Sequence, residues 1–103
     1  MLISDLLTPQ SIIPDLKATS KKQALQEIAS YAAEQLQLED RAILDVLLER
    51  ERLGSTGVGG GVAIPHGKMV KLDKLYLLFA KLSTPVAFDA PDGRPVDLMF
   101  LLL

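Results

Sequence analysis

The sequence contains no cysteine, which excludes a disulfide framework and any metal site built on thiolates. It holds a single histidine, so a catalytic zinc site, which needs about three protein ligands, has little support. The first residues lack the basic and apolar regions of a signal peptide, and no apolar run reaches the roughly 18 residues of a membrane span. We therefore expect a cytoplasmic chain with no metal, no other cofactor and no direct membrane insertion.

An excess of positive charge is also lacking. The 11 basic and 13 acidic residues leave a net charge of −2, which argues against a nucleic-acid surface. A length of 103 residues allows one domain at most, and a hydrophobic content of 49% is ample for a core.

Two stretches carry the pattern of a helix. Ser20 and Gln23 fit a capping box, and the apolar residues that follow at helical spacing predict a helix ending near Gln37. The second helix is predicted from Asp40 to Leu53, with Gly54 as its left-handed cap.

The second helix has one charged residue on its apolar face. Ile43, Val46, Leu47 and Leu53 share that face with Arg50, while Glu51 and its charged neighbours are expected to be solvated. Arg50 therefore lies one turn before the glycine-rich segment.

The other elements are predicted to be short or extended. They are a helical turn at 4–7, a brief extended segment at 11–13 stopped by Pro14, strands at 61–64, 75–82 and 96–103, and loops at 84–86 and 90–93. Because the strands at 75–82 and 96–103 are apolar at nearly every position, both are expected to be covered on both faces. Helices followed by buried strands predict a layered α/β domain.

The segment from Leu53 to Lys68 is the least ordinary part of the sequence. Five of the seven glycines lie between positions 54 and 61. Since glycine costs backbone entropy on folding, such density indicates a geometric need. The segment closes on His66, which the fixed φ of Pro65 and the missing side chain of Gly67 should leave rigid and accessible.

The segment does not match three known motifs of phosphate binding or catalysis. The P-loop, the dinucleotide fingerprint and the nucleophile elbow each require glycine or serine at spacings that positions 54–68 do not have. Nucleophilic catalysis by histidine remains, with the imidazole of His66 holding a phosphoryl group as a phosphoramidate. An unperturbed histidine has a pKa of about 6.5, so the neutral nucleophile is available at neutral pH.

Neighbouring groups are candidates for binding the phosphoryl oxygens. The guanidinium of Arg50 suits bidentate binding, the glycine-rich backbone suits an anion nest, and Ser55 and Thr56 offer hydroxyl donors. Each has a plainer alternative. Arg50 would complement the helix dipole, the two hydroxyls would serve a turn, and His66 would be incidental to a non-catalytic anion-binding module.

The sequence from Gly54 to Lys68 resembles the active-site signature of the mannitol, fructose and nitrogen-regulatory class of enzyme IIA domains. These domains belong to the bacterial phosphoenolpyruvate-dependent phosphotransferase system. The Gly-Ser-Thr-Gly opening at 54–57 and the Ile-Pro-His-Gly-Lys close at 64–68 are most similar to the nitrogen-regulatory branch. The resemblance runs from Ser4 to Leu98 and covers nearly the whole chain.

The resemblance implies a phosphotransferase that works through a phosphohistidine. His66 would accept a phosphoryl group from a histidine-phosphorylated HPr-type carrier protein, with Arg50 as the second catalytic residue. The implied phosphoryl-binding residues are Gly54, Ser55, Thr56, Gly57 and Gly67. A nitrogen-type domain would bind regulatory target proteins according to its phosphorylation state, whereas a sugar-type domain would pass the phosphoryl group to a IIB domain.

The family domain is longer than this chain. Its C-terminal part, with further helices and a second active-site histidine, has no counterpart here, and the sequence stops inside the apolar run from Phe100 to Leu103. We therefore expect residues 1–103 to be a single enzyme IIA-type domain, truncated at its C-terminus. Its expected fold is α/β, a mixed β-sheet layered with helices on both sides, the C-terminal helices being absent.

Overall fold

The computed structural model describes residues 8–103, so the helical turn predicted at 4–7 lies outside the described residues. After a 3-10 turn at Pro9–Ser11, the elements follow one another along the chain. They are β1 (Ile12–Leu16), α1 (Lys21–Leu36), α2 (Asp40–Arg52), β2 (Gly57–Gly59), β3 (Val62–Ala63), β4 (Leu77–Val86) and β5 (Val96–Leu102).

The five strands form one sheet in the order β1-β4-β5-β3-β2. The pairs β1–β4 and β3–β5 are parallel, whereas β4–β5 and β2–β3 are antiparallel. The sheet is therefore mixed, and the α/β class predicted from the sequence is confirmed.

The helix boundaries follow from local chemistry. The hydroxyl of Ser20 accepts the backbone N–H of Gln23 at 3.1 Å, and α1 ends where Gln37 takes a left-handed φ of 54°. Helix α2 ends at Arg52, and its cap is Leu53 in a right-handed conformation. The prediction of Gly54 as a left-handed cap is therefore wrong, since Gly54 follows the cap with a φ of 151°. Because Leu53 lies past the end of the helix, it is 77% exposed and does not continue the buried face as predicted.

Both helices pack against one face of the sheet. Alternate strand residues such as Leu78, Ala80, Met99 and Leu101 are buried there, together with the apolar faces of α1 and α2. The opposite face carries Ile12, Val62, Phe79, Leu98 and Phe100, each half-buried or exposed. We call these five residues the open face.

The open face corrects one expectation. Strands β4 and β5 were predicted to be covered on both faces, but residues 8–103 cover only one. A continuous apolar run shows that a strand has two apolar faces, but it does not show that the same residues cover both of them. The helical layer expected on the second side is not formed by the described residues.

Two strands run through prolines at which the sequence predicted a break. Pro14 does not stop β1, which is the edge strand of the described sheet, where a missing N–H is tolerated. Strand β4 continues through the predicted loop at 84–86, and its pairing with β5 becomes irregular between Lys81 and Val86.

Candidate functional site

The backbone around His66 is fixed by the end of β5. The N–H of Leu102 donates to the carbonyl of Pro65 at 3.0 Å, and the N–H of Gly67 donates to the carbonyl of Leu102 at 3.1 Å. His66 thus sits in a parallel bridge with Leu102 while its side chain stays exposed. The accessible histidine predicted from the sequence is confirmed by this exposure, whereas its rigidity stays a prediction.

The two ring nitrogens of His66 have different partners. Nδ1 lies 2.8 Å from the carbonyl oxygen of Ile64, which can only accept, so this contact is a hydrogen bond when the ring proton is on Nδ1. Nε2 lies 3.2 Å from Nε of Arg50, which can only donate. The two contacts agree with one tautomer of the neutral ring, in which Nδ1 carries the proton and Nε2 a lone pair.

Arg50 is held beside the histidine from two sides. Its Nη1 donates to the carbonyl of Gly54 at 2.8 Å, while its Nε donates to His66. Within residues 8–103 the guanidinium makes no other hydrogen bond, so donors remain for an incoming anion. The structure therefore brings the two predicted catalytic residues together.

Gly67 contributes through the space it leaves empty. A Cβ atom at this position would overlap Cγ1 of Val46, which is on α2 one turn before Arg50. The absence of a side chain lets α2 approach the histidine segment closely, and Arg50 reaches His66 as a result.

The groups predicted to bind the phosphoryl oxygens already have partners in this conformation. The N–H of Gly54 donates to the backbone carbonyl of Glu51, and the N–H of Thr56 donates to the Glu51 carboxylate. The N–H of Gly57 donates to the hydroxyl of Ser55 at 3.0 Å. The hydroxyl of Ser55 donates to the carbonyl of Phe88. Phosphoryl binding by Gly54, Ser55, Thr56, Gly57 and Gly67 therefore stays a prediction that requires these bonds to be exchanged.

The three consecutive glycines at 59–61 close the hairpin between β2 and β3, with Gly59 ending β2 and the other two forming the turn. Their φ angles of 97°, 66° and 81° are all positive, which residues with a Cβ rarely adopt. The N–H of Gly60 donates to Asp92 at 2.8 Å. That bond, with a second from the N–H of Arg94, holds the pKa of Asp92 below its usual range. Much of the glycine density thus serves a hairpin.

Glu51 is the residue whose importance the sequence did not reveal. It was expected to be solvated, but only 6% of its side chain is exposed, and its carboxylate accepts a salt bridge from Lys21 at 2.6 Å. Its other partners are the N–H and hydroxyl of Thr56. Lys21 is 30 positions away in the sequence, so no local pattern indicated the pairing.

The site is a surface rather than a cleft. A cavity of about 370 Å³ lies nearby between Val46 and Met69, but neither His66 nor Arg50 lines it. Small-molecule sites are usually concave and enclose their ligand, whereas the His66 ring is exposed and the Arg50 beside it is half-buried. Residues 8–103 contain no cluster of side chains that would hold a metal ion. Neither of the two helices in these residues combines the length and the hydrophobicity that spanning a bilayer requires.

The sequence matches the family described as phosphoenolpyruvate-dependent sugar phosphotransferase system, EIIA 2, over residues 5–103. The chain belongs to that family. A nitrogen regulatory protein of Bradyrhizobium diazoefficiens is 58% identical over 103 residues, which are 100% of this chain and 67% of that protein. A fructose-specific EIIA component of Haloferax volcanii is 36% identical, over 94% of this chain and 64% of its own length.

A solved structure has the same fold. The crystal structure of nitrogen regulatory protein IIA-Ntr from Neisseria meningitidis superposes with a TM-score of 0.92 at 40% identity, covering all of this chain and 70% of that one. The chain therefore spans about two thirds of the length of the relatives it matches.

Proposed function

We propose that this chain is a phosphocarrier of the nitrogen-regulatory type, which receives a phosphoryl group on Nε2 of His66 from a histidine-phosphorylated HPr-type protein. The observation that carries the proposal is the geometry of an exposed ring, with Nδ1 at 2.8 Å from the carbonyl oxygen of Ile64 and Nε2 at 3.2 Å from Nε of Arg50. Because Nδ1–H is bonded to the carbonyl of Ile64, the lone pair lies on Nε2, beside Arg50.

The transfer step is a displacement at phosphorus. The Nε2 lone pair forms the new N–P bond as the N–P bond to the donor imidazole breaks, and the electron pair of that bond returns to the donor nitrogen. The His66 ring gains positive charge during this step. The carbonyl of Ile64, 2.8 Å from Nδ1, stabilises that charge by accepting the Nδ1–H bond.

Arg50 acts both before and after the transfer. Before it, the Nε–H of Arg50 donates to the lone pair of His66, and this bond must be released for attack. Afterwards the same N–H, with the unoccupied guanidinium donors, bonds the phosphoryl oxygens. The carbonyl of Gly54 keeps the guanidinium near the site throughout.

The regulatory role is supported by the relative that is 58% identical and named a nitrogen regulatory protein. In that role the domain binds target proteins according to its phosphorylation state. The second candidate is a sugar-type domain that passes the phosphoryl group to a IIB domain, which the 36% identical fructose-specific component favours. The two candidates share the chemistry at His66 and differ in the next partner.

The experiment is phosphoryl transfer from phosphoenolpyruvate through the upstream enzyme and the HPr-type carrier. The expected result is one acid-labile, alkali-stable label per chain. Reversible binding of phosphate without a covalent label would support the anion-binding module instead. Transfer onward to a purified IIB domain, measured in the same assay, separates the sugar-type role from the regulatory one.

A further inference from the structure

A line of hydrogen bonds links a buried carboxylate to the candidate nucleophile. The carboxylate of Glu51 accepts the N–H of Thr56 at 3.0 Å and also accepts its hydroxyl. The carbonyl of Thr56 accepts the N–H of Ile64 at 2.9 Å. The carbonyl of Ile64 in turn accepts Nδ1–H of His66 at 2.8 Å.

Each link constrains the next one. Thr56 is 3% exposed, and its backbone is bonded on both sides, by Glu51 at the N–H and by Ile64 at the carbonyl. Ile64 is thereby placed two residues before the histidine with its carbonyl facing Nδ1. The direction of that carbonyl selects the ring tautomer, since a carbonyl oxygen can only accept.

We propose that Glu51 is a positioning residue for phosphoryl transfer, which acts through Thr56 and Ile64 to hold His66 in the Nδ1–H tautomer. The inference rests on the proposed function of His66. Glu51 touches neither the histidine nor an incoming phosphoryl group, so it is not a catalytic residue. It lies next to Arg50 on α2, so the same helix end supplies the guanidinium and anchors the histidine.

Lys21, the first residue of α1, forms a salt bridge with the carboxylate of Glu51. Its ammonium lies 2.6 Å from Glu51 and 5.1 Å from the centre of the Phe88 ring. A nearly buried carboxylate requires such a partner, because an unpaired charge in a protein interior is strongly destabilising. The pair therefore joins both helices to the loop that orients His66.

The test uses four single substitutions. Glu51→Ala removes the anchor, Glu51→Gln keeps an acceptor oxygen without the charge, and Thr56→Val removes the hydroxyl but keeps the backbone N–H. The matched control is Glu49→Ala, which removes an exposed carboxylate on the same helix whose salt-bridge partner among residues 8–103 is Arg52. Two readouts are taken on folded protein: the ¹⁵N signature of the two ring nitrogens, and the initial rate of phosphoryl transfer to His66.

We expect Glu51→Ala to give a mixture of ring tautomers and to slow transfer by about tenfold or more, since small misplacements of reacting groups are costly. Glu51→Gln and Thr56→Val should show the same two changes to a smaller extent, and Glu49→Ala neither change. The proposal is overturned if a folded Glu51→Ala protein keeps the single Nδ1–H tautomer and transfers within about twofold of the parent rate.

If Glu51→Ala does not fold, Glu51→Gln decides the matter, and an unchanged tautomer and rate in that variant overturn the proposal. The tautomer readout also separates two failures. A parent protein that takes up no phosphoryl group contradicts the proposed function, while the ¹⁵N signature still reports whether Glu51 orients the ring.

Discussion

The side chain of Val46 occupies the space that a Cβ atom at position 67 would need. This close approach joins helix α2 to the histidine segment, and Arg50 stands one helical turn further along α2. The contact between Val46 and Gly67 thus sets the separation at which Arg50 meets His66, with 3.2 Å between Nε and Nε2.

The first prediction concerns this contact. Gly67→Ala is expected to lower the free energy of unfolding by about 1–3 kcal/mol through overpacking and to slow transfer, because α2 must move away from His66. Thermal melting and initial rates measure the two effects. Adding Val46→Ala should restore part of both losses, and Val46→Ala alone serves as the control. No recovery in the double variant would show that the contact between positions 46 and 67 does not set the approach of α2 to His66.

The second prediction concerns Arg50. Replacing it with alanine removes a charge-assisted hydrogen bond worth about 1.5–3 kcal/mol, so transfer should slow by roughly tenfold to a hundredfold. Arg50→Lys should restore only part of the rate, because lysine lacks the planar fork of donors. Arg52→Ala, at an exposed residue on the same helix, is the control. An unchanged rate for folded Arg50→Ala would contradict a role in transfer, and Arg50 would then serve only to complement the dipole at the end of α2.

The third prediction concerns Tyr76, whose buried hydroxyl has no hydrogen-bond partner within the described residues. Tyr76→Phe should raise the free energy of unfolding by about 1 kcal/mol, because an unsatisfied buried group is removed. Equal or lower stability of this variant in urea would mean that the hydroxyl is satisfied by a bound water or another group.

Tyr76 also makes the free energy of unfolding depend on pH in the alkaline range. Burial, with a smaller effect of Tyr31, raises the pKa of Tyr76 to about 12. The unfolded phenol ionises near pH 10, so the native state binds the proton more tightly. The contribution of the protonated Tyr76 to the free energy of unfolding is complete below about pH 10 and is lost as the pH rises toward 12. Tyr76→Phe should therefore flatten the plot of unfolding free energy against pH in that range.

The fourth prediction concerns the open face. The rings of Phe79 and Phe100 lie 4.9 Å apart on it, and Ile12 is 41% exposed. Residues 1–103 alone are therefore expected to self-associate, as sedimentation would detect. Ile12→Glu should weaken the association, while Val70→Glu, at a residue that is 94% exposed and off this face, should not. A monomer at all concentrations would contradict the prediction.

We further propose that the domain extends beyond these residues in the way its longer relatives do. A polypeptide lengthened to match those relatives should be monomeric and should melt higher if the added residues cover the open face. Identical melting and association of the two polypeptides would contradict that proposal.

The features that were predictable from sequence are those fixed by local chemistry. The Ser20 cap and the end of α1 near Gln37 follow from side-chain and backbone hydrogen bonds between close neighbours. The exposure of His66 follows from the Pro65–Gly67 frame. The side of α2 that carries Arg50 follows from helical periodicity, which places it one turn after Val46.

The features that were not predictable depend on residues far apart in the chain. The burial of Glu51 requires Lys21 and Thr56, which only the tertiary fold brings together. The need for glycine at position 67 depends on Val46, and the motif alone suggested phosphoryl binding. The continuation of β4 past Pro85 depends on a neighbouring strand, because turn propensity alone favours a loop there.

The most direct test of the account is the identity of the nitrogen that carries the phosphoryl group. The chain, phosphorylated through the HPr-type carrier, is examined by ³¹P and ¹⁵N NMR beside His66→Ala. The account predicts a single phosphoramidate on Nε2 of His66, with Nδ1 still protonated against Ile64, and no label on His66→Ala. A phosphoryl group on Nδ1, or any label on the His66→Ala protein, would contradict it.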